Sequence, residues 1–542
     1  MAAMRFDRHL WLALLLAAAV LLPRAILIAG AHSECYDDEY HLFRGARFLQ
    51  KNLAGLAQSD PPLGEGLSAL PLALTNSRPG WSGGLYDHSL RPESLLLMVA
   101  LWRSLLFLPV LMVAFAWCRR LYGVRAAWPV LAILLVEPTF AAHIPLAALD
   151  ALGMGGIVVA CYLAWRFFDA PSRGRLVAAA CAVPFALLLK QTAIILPLVV
   201  LGYAVLFWGL QPWLDREPAA AWRAALPARL RMLAGGLLIG MAALWALLLF
   251  DVSRPDIPPD WIESSALKQT LDRPLPAGLY LGSILRSNWH AARGHPSYLF
   301  GESSMTGWWY YFPAVMSCKV PIGIGMLLLL GLLSLRRSPP RFAEWSLFLP
   351  LVAWTALMLA TRINIGMRHF LPAYVFMLML AGRSLRDERK GVAIAAWGAL
   401  LVAALHVASF HPNYLSYVNW PRDRVYLSIS DSNLDWGQSL KQIRDWIDRR
   451  PQTGRPVHLL YFGDPNSPMR IRYYLRDRVI PIDRQGPLPR GGLLIASPVW
   501  VAGPFDPAGR YAALRTLTPI DVIGDSMLVY DLDRAAGRRT GS

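Results

Sequence analysis

The sequence predicts an α-helical polytopic membrane protein of about eleven spans, followed by a C-terminal soluble α/β domain. Three observations carry this. The 542-residue chain is 55% hydrophobic and only 16% charged, with a mean hydropathy of +0.38, more apolar than ordinary soluble domains. Apolar runs of roughly 17–23 residues recur along the first three quarters of the chain, each long enough to cross a hydrocarbon layer of ~30 Å as a helix. Beyond residue 410 these runs stop and shorter strand-like and helix-like segments take over.

The spans are expected near 10–31, 95–117, 126–143, 146–168, 174–190, 192–209, 231–250, 313–335, 345–362, 369–385 and 391–410. The first is preceded by Arg5 and Arg8 and ends in Ala29-Gly30-Ala31, which resembles a signal-peptide cleavage site. The apolar stretch from Leu10 to Ala31 is long for a signal core, so it reads as an uncleaved span.

Basic residues set the orientation. Arg119, Arg120 and Arg125 follow the second span, Arg173 and Arg175 the fourth, and Arg216, Arg223, Arg229 and Arg231 the sixth. Arg336, Arg337 and Arg341 follow the eighth, and Arg383, Arg386, Arg389 and Lys390 the tenth. If every span crosses, all these loops share the side of the N-terminus, and the positive-inside rule makes that side the cytoplasm. The expected domains are a transmembrane domain at 1–410, with external loops at 32–94 and 251–312, and an external domain at 411–542. The C-terminal domain is then expected outside the cytoplasm.

The basic loops also explain the net charge of +17 without nucleic acid as a partner. The cysteines Cys35, Cys118, Cys161, Cys181 and Cys318 have neither metal nor disulfide spacing. In the loop 251–312, GWWYYFP (307–313) has the aromatic composition of the headgroup layer. The segment 211–231 is basic and partly amphipathic, suited to the inner membrane surface or to a simple connector. In the C-terminal part, HLLYFG (458–463), LLIAS (493–497) and MLVYDLD (527–533) read as strands. The stretch 434–450 reads as a helix, with Asp431-Ser432-Asn433 capping its start. DSNLD (431–435) starts like a calcium loop, but Trp436 and Gln442 stand where glycine and glutamate are required.

Ionisable groups at a membrane are costly and mark candidate sites. Directly after the first span comes CYDDEYHLF (35–43), with Asp37, Asp38 and Glu39 in succession. On the expected topology Asp150, Lys190, Arg362, Arg368 and His369 lie at the same, external face. Each alone has a simpler reading: lysine and arginine reach for headgroups, and acids occupy solvated turns. Together they suit transfer from an anionic lipid carrier. A carboxylate takes the proton of an acceptor hydroxyl, and cations hold the departing phosphate.

DDEYHLF (37–43) with DPPLGEGLSALPL (60–72) resembles the first external loop of GT-C glycosyltransferases, in particular the protein O-mannosyltransferases and bacterial aminoarabinose and lipid-carrier-dependent transferases. LLKQTAIILP (188–197), GWWYYFPAVMSCKVP (307–321) with Lys319, and NIGMRHFLPAY (364–374) resemble further family segments. DSNLDWGQSLKQIRDWI (431–447) is similar to a C-terminal segment of bacterial relatives.

The resemblance implies a GT-C type fold, a polyprenyl-phosphate-linked sugar as donor, and a place in the bacterial inner membrane with the C-terminal domain periplasmic. It implies Asp38 and Glu39 as the catalytic pair, with Asp38 as base. Beside it, the charges themselves make Lys190, Arg362, Arg368 and His369 the candidate holders of the donor phosphate, a role the resemblance also implies for Lys190, and Asp150 and His41 the candidates to support it or hold a metal. Asp60 departs from the family, which often has histidine before the Pro-Pro-Leu element. No cofactor is implied with certainty, and a divalent ion on Asp38, Glu39 and Asp150 stays open. Expected partners are the lipid-linked donor, a lipid, glycan or protein acceptor, and membrane lipids. The competing class is a lipid-linked sugar flippase or other transporter, which would place its charges near the midplane and often carry repeats. The charges here cluster at one face and no repeat is visible.

Overall fold

The computed structural model describes residues 7–52, 59–76, 84–258, 261–262, 264–386, 390–419, 424–450, 454–463, 467–484 and 486–534. Arg389 and the side chain of Lys390 lie outside the described residues.

The membrane part is a helical bundle. Its helices are α1 (Arg8–Ala31), α2 (Asp38–Leu49), α3 (Pro62–Thr75), α4 (Pro92–Tyr122), α5 (Val124–Val136), α6 (Pro138–His143), α7 (Asp150–Asp169), α8 (Arg173–Leu187) and α9 (Leu196–Tyr203). They continue with α10 (Gln211–Leu214), α11 (Ala219–Leu247), α12 (Ser265–Leu271), α13 (Gly278–Arg293), α14 (Tyr311–Lys319), α15 (Ile322–Arg337), α16 (Trp345–Ala360), α17 (Leu371–Ala381) and α18 (Lys390–Ala408).

All eleven expected spans are helical. Among the described residues, seven helical stretches are long and apolar enough to cross a membrane. The other four are short or broken. Pro138 divides α5 from α6, and Pro321 divides α14 from α15, because proline cannot donate the bond that would continue the helix. The segment 211–231 is mostly helix: α11 starts at Ala219, twelve residues before the expected span.

The sequence pattern explains the packing. In α1, Leu10, Ala13, Ala17, Leu21, Ala25 and Ile28 recur at helical spacing and are buried, and α1 lies along α4. The alanines let the backbones approach closely. Its outer face exposes Trp11, Leu12, Leu15, Leu16, Ile26 and Leu27, as a lipid-facing surface would. The central helix is α7, against α4, α8, α9 and α17.

At one end of the bundle the basic residues gather. Arg119 is 2.6 Å from Asp7, Arg120 is 3.3 Å from Asp169, and Arg383 makes a buried pair with Glu344. The start of α7, with Asp150, lies at the other end. There the first loop folds into α2 and α3, which pack on each other.

The C-terminal part carries a five-stranded sheet. Short hairpins in the loop 251–312 supply β1 (Val252–Ser253) with β2 (Leu275–Pro276), and β3 (Ser297–Leu299) with β4 (Glu302–Ser304). The sheet strands are β5 (Val457–Leu460), β6 (Ile480–Pro481), β7 (Leu493–Ala496), β8 (Asp521–Ile523) and β9 (Met527–Asp531). β5 pairs in parallel with β6 and β7, while β9 is antiparallel to β7 and β8. Helices α19 (Leu440–Asp448) and α20 (Ser467–Leu475) contact each other. α21 (Pro498–Ala502) follows β7.

This unit has its own apolar cluster, with Leu440, Ile443, Leu459, Ile495 and Val529. A second set, including Leu434, Trp436, Leu460, Trp500 and Tyr530, is continuous with the core of the bundle. The expected helix at 434–450 begins only at Leu440. Asp431-Ser432-Asn433 does not cap it: these residues form a separate 3₁₀ turn against the bundle.

Candidate active site

The site is built where the first span ends. Asp38 and Glu39 open α2, where carboxylates favour the helix N-terminus. Asp38 is buried, and both its oxygens are used: Oδ2 accepts from the Cys35 amide at 2.8 Å and Oδ1 from the Ala147 amide at 2.9 Å. It thereby fastens α2 to the segment leading into α7. Burial pushes its carboxyl above the usual range, against those two amides. Asp37, one residue earlier, points elsewhere: its Oδ2 lies 3.1 Å from Nη1 of Arg368.

Asp150, the first residue of α7, meets two cations. Lys190 Nζ donates to its Oδ1, and Arg368 Nη1 is 3.6 Å from its Oδ2. Lys190 sits in extended backbone between α8 and the 3₁₀ turn 191–195. It passes close to α7 because Gly153 has no side chain: a Cβ there would lie 2.5 Å from the Lys190 Cβ. Arg368 stands on the 3₁₀ turn Met367–Phe370, between α16 and α17.

These groups face one cavity of about 420 Å³. Its lining has a charged part, with Asp37, His41, Asp60, Asp150, Lys190, Arg368, His369, Asp431 and Arg484. It also has an aromatic part, with Tyr36, Trp436, Phe462, Trp500 and Phe505. Tyr36 stacks on Phe462, with ring centroids 5.4 Å apart, and Phe462 on Phe505 at 5.7 Å. The first loop and the C-terminal unit therefore share this wall.

On another side His41 Nδ1 is 3.0 Å from Glu65 Oε1, and Arg44 Nε lies 2.7 and 2.9 Å from the two Glu65 oxygens. Burial works to lower the His41 pKa, but the Glu65 carboxylate outweighs it and the net direction is upward. Burial raises Asp60, which His41 opposes. Burial likewise raises Asp431 against the pull of Arg368.

Ligand atoms of His41, Asp60 and Glu65 lie within 4.8 Å of one another, a spacing that suits a metal ion. Arg44 already holds both Glu65 oxygens, so a cation would have to displace it. Asp38, Glu39 and Asp150 each serve different partners and do not converge on a shared ion.

No protein-family model matches the chain, and no curated protein matches it in sequence. The likeness is structural. ArnT from Cupriavidus metallidurans, solved bound to undecaprenyl phosphate, superposes with a TM-score of 0.52 over 96% of this chain and 98% of that one, at 15% identity. The same enzyme in its apo state gives 0.50 over 96% and 97%, at 14% identity. The chain has the fold of ArnT.

Within this fold the expected site residues divide. Asp150, Lys190, Arg368, His369 and His41 line the cavity. Glu39 is turned away and pairs with Arg470 of α20 at 3.3 Å. Arg362 is exposed and donates to the Ala292 carbonyl at 3.2 Å, outside the cavity lining. Asp38 is outside the cavity lining, with each of its oxygens accepting from a backbone amide, and Asp37 takes the cavity-facing place expected of it. Sequence reasoning missed Asp431 and Trp436, which entered it only as a cap and as a failed calcium loop. Asp60 entered it only as a departure from the family.

Proposed function

We propose that the protein is a membrane glycosyltransferase that moves a sugar from a polyprenyl-phosphate donor to an acceptor hydroxyl. The cavity would open on the non-cytoplasmic side, with residues 411–542 forming an external domain over it. The observation that carries this reading is the meeting of Asp37 and Asp150 with Arg368 and Lys190 on one cavity that also has an aromatic wall. The fold shared with ArnT supports it, and that ArnT structure has undecaprenyl phosphate bound.

The donor phosphate takes up position against Lys190 and Arg368, where two cations offset its charge and guanidinium geometry suits its oxygens. The aromatic wall gives the sugar or acceptor ring an apolar face. Asp37, free of the amide bonds that occupy Asp38, accepts the proton of the acceptor hydroxyl. That oxygen attacks the anomeric carbon and the bond from this carbon to the phosphate oxygen breaks. The electron pair leaves on the phosphate, where Lys190 and Arg368 stabilise it. One displacement inverts the anomeric centre.

The test is transfer of label from synthetic undecaprenyl-phosphate sugars by the purified protein. Asp37→Asn is expected to lower kcat by ~10²–10⁴-fold while undecaprenyl phosphate still binds. Full turnover by Asp37→Asn would remove the mechanism. Vesicles across which the protein moves intact lipid-linked sugar, with no transfer, would replace the enzyme by a flippase.

A further inference from the structure

We infer that Ser432 and Trp436 of the C-terminal unit are positioning residues for Arg368, so that the segment 431–436 is an integral part of the phosphate site. This rests on the proposed reading of Arg368 as a phosphate holder.

Arg368 is held on three sides. Its Nε donates to Ser432 Oγ at 3.0 Å. Its guanidinium carbon lies 3.9 Å from the centroid of the Trp436 ring. Its Nη1 faces Asp37 and Asp150 at 3.1 and 3.6 Å. Among the described residues Nη2 has no hydrogen-bond partner, and Arg368 lines the cavity. The two acids supply charge balance. Ser432 and Trp436 are neutral, so they fix the plane of the fork without cancelling its charge. A cation over an indole face gains attraction, more so where water is excluded.

The holders are themselves fixed. Ser432 Oγ donates its hydrogen to the Ile365 carbonyl, which leaves its lone pairs for Arg368. Gly366 permits this approach, since a Cβ there would stand 2.6 Å from Ser432 Oγ. Next along, Asn433 Oδ1 accepts from the Met367 amide at 2.9 Å, and Lys319 Nζ donates to the Asn433 carbonyl at 2.7 Å. Trp436 is buried, and its carbonyl accepts from the Tyr36 amide at 2.8 Å. The segment thus grips the turn 365–368 on one side and the first loop, next to Asp37, on the other. A structural tether would need only some of these bonds. Contact with both an edge and the face of one guanidinium is what orientation of that guanidinium requires.

The test is a double-mutant cycle on the full-length purified protein, reading the Kd for undecaprenyl phosphate in detergent. Trp436→Leu and Ser432→Ala are each expected to weaken binding by about 5–30-fold. In an Arg368→Met background each should cost less than about 2-fold. Trp436→Phe, which keeps a π face, should restore most of the affinity. If Trp436→Leu and Ser432→Ala cost the same factor with and without Arg368, their role is general packing and the inference falls. If the wild type does not bind undecaprenyl phosphate, or Arg368→Met binds it equally well, the phosphate-site reading itself falls first. Should Trp436→Leu fail to fold, Ser432→Ala carries the test, because it removes one hydroxyl and no packing volume of consequence.

Discussion

Asp150→Asn separates the cost of assembling the empty site from the affinity of the filled one. Asp150 is almost fully buried, in contact with Lys190 and 3.6 Å from Arg368. A unit-charge pair at that separation is worth about 5 kcal/mol at an effective dielectric of ~20. Desolvation offsets much of this, and removing one member of a buried pair typically costs about 3–5 kcal/mol because the other is left uncompensated. Asparagine keeps the shape and loses the charge, so in the empty protein Lys190 loses its ion-pair partner and Arg368 keeps Asp37 as its one remaining ion-pair partner among the described residues. A phosphate brings the missing negative charge back. The destabilisation of about 3 kcal/mol should therefore largely vanish in the complex. By linkage the Kd for undecaprenyl phosphate should then tighten by up to ~100-fold. Turnover should fall, since the departing phosphate is released more slowly. The assay is the thermal midpoint with and without undecaprenyl phosphate, paired with equilibrium binding. An unchanged midpoint together with weaker binding would refute the charge-balance argument and make Asp150 a direct contact to substrate.

Three further outcomes follow from the same geometry. Arg470→Met leaves Glu34 and Glu39 buried without the cation now 3.2 and 3.3 Å away; stability should drop by about 3–5 kcal/mol, and limited proteolysis should release the C-terminal unit sooner than in the wild type. Burial lifts the Asp435 carboxyl to about 6 from the ordinary ~4. The native state therefore holds that proton longer than the unfolded chain, and stability should fall as pH rises from ~4 to ~6. The cost is about 3 kcal/mol at neutral pH, and melts of Asp435→Asn at pH 4.5 and 7 should show a flatter dependence than wild type. Asp38→Asn should lower the melting point, because an amide cannot accept from both Cys35 and Ala147, while kcat per folded molecule stays near wild type. Asp37→Asn should instead lower kcat per folded molecule, and equal turnover of the two variants would mean that Asp37 is not the base.

The bundle was legible because its signal is local and redundant. Each expected span has apolar residues on all sides, so neither the phase of the helix nor its neighbours had to be known. The breaks at Pro138 and Pro321 are equally local. The convergence of Asp150, Lys190 and Arg368 followed from topology: all three stand at span ends on the same side of the bundle. What could not be read was orientation at single-residue scale. Asp37 and Asp38 are adjacent, and at a helix start neighbouring side chains diverge by roughly 100°. Which of them reaches the cavity is decided by the Ala147 amide, 109 residues from Asp38.

The same limit applies to the C-terminal segment. Asp431, Ser432 and Asn433 have short polar side chains that satisfy backbone amides, which makes a helix cap the cheapest local reading. Their partners lie instead in the membrane part: Arg368 for Ser432, Met367 and Tyr311 for Asn433. Satisfying those distant groups displaces the helix start to Leu440. A cap is worth about 1 kcal/mol, whereas the buried Arg368, left without Ser432 and Trp436, would lose two contacts, and hydrogen bonds to charged groups are worth about 1.5–3 kcal/mol. The larger interaction wins, and it does so by joining parts of the chain whose affinity for one another has no sequence period.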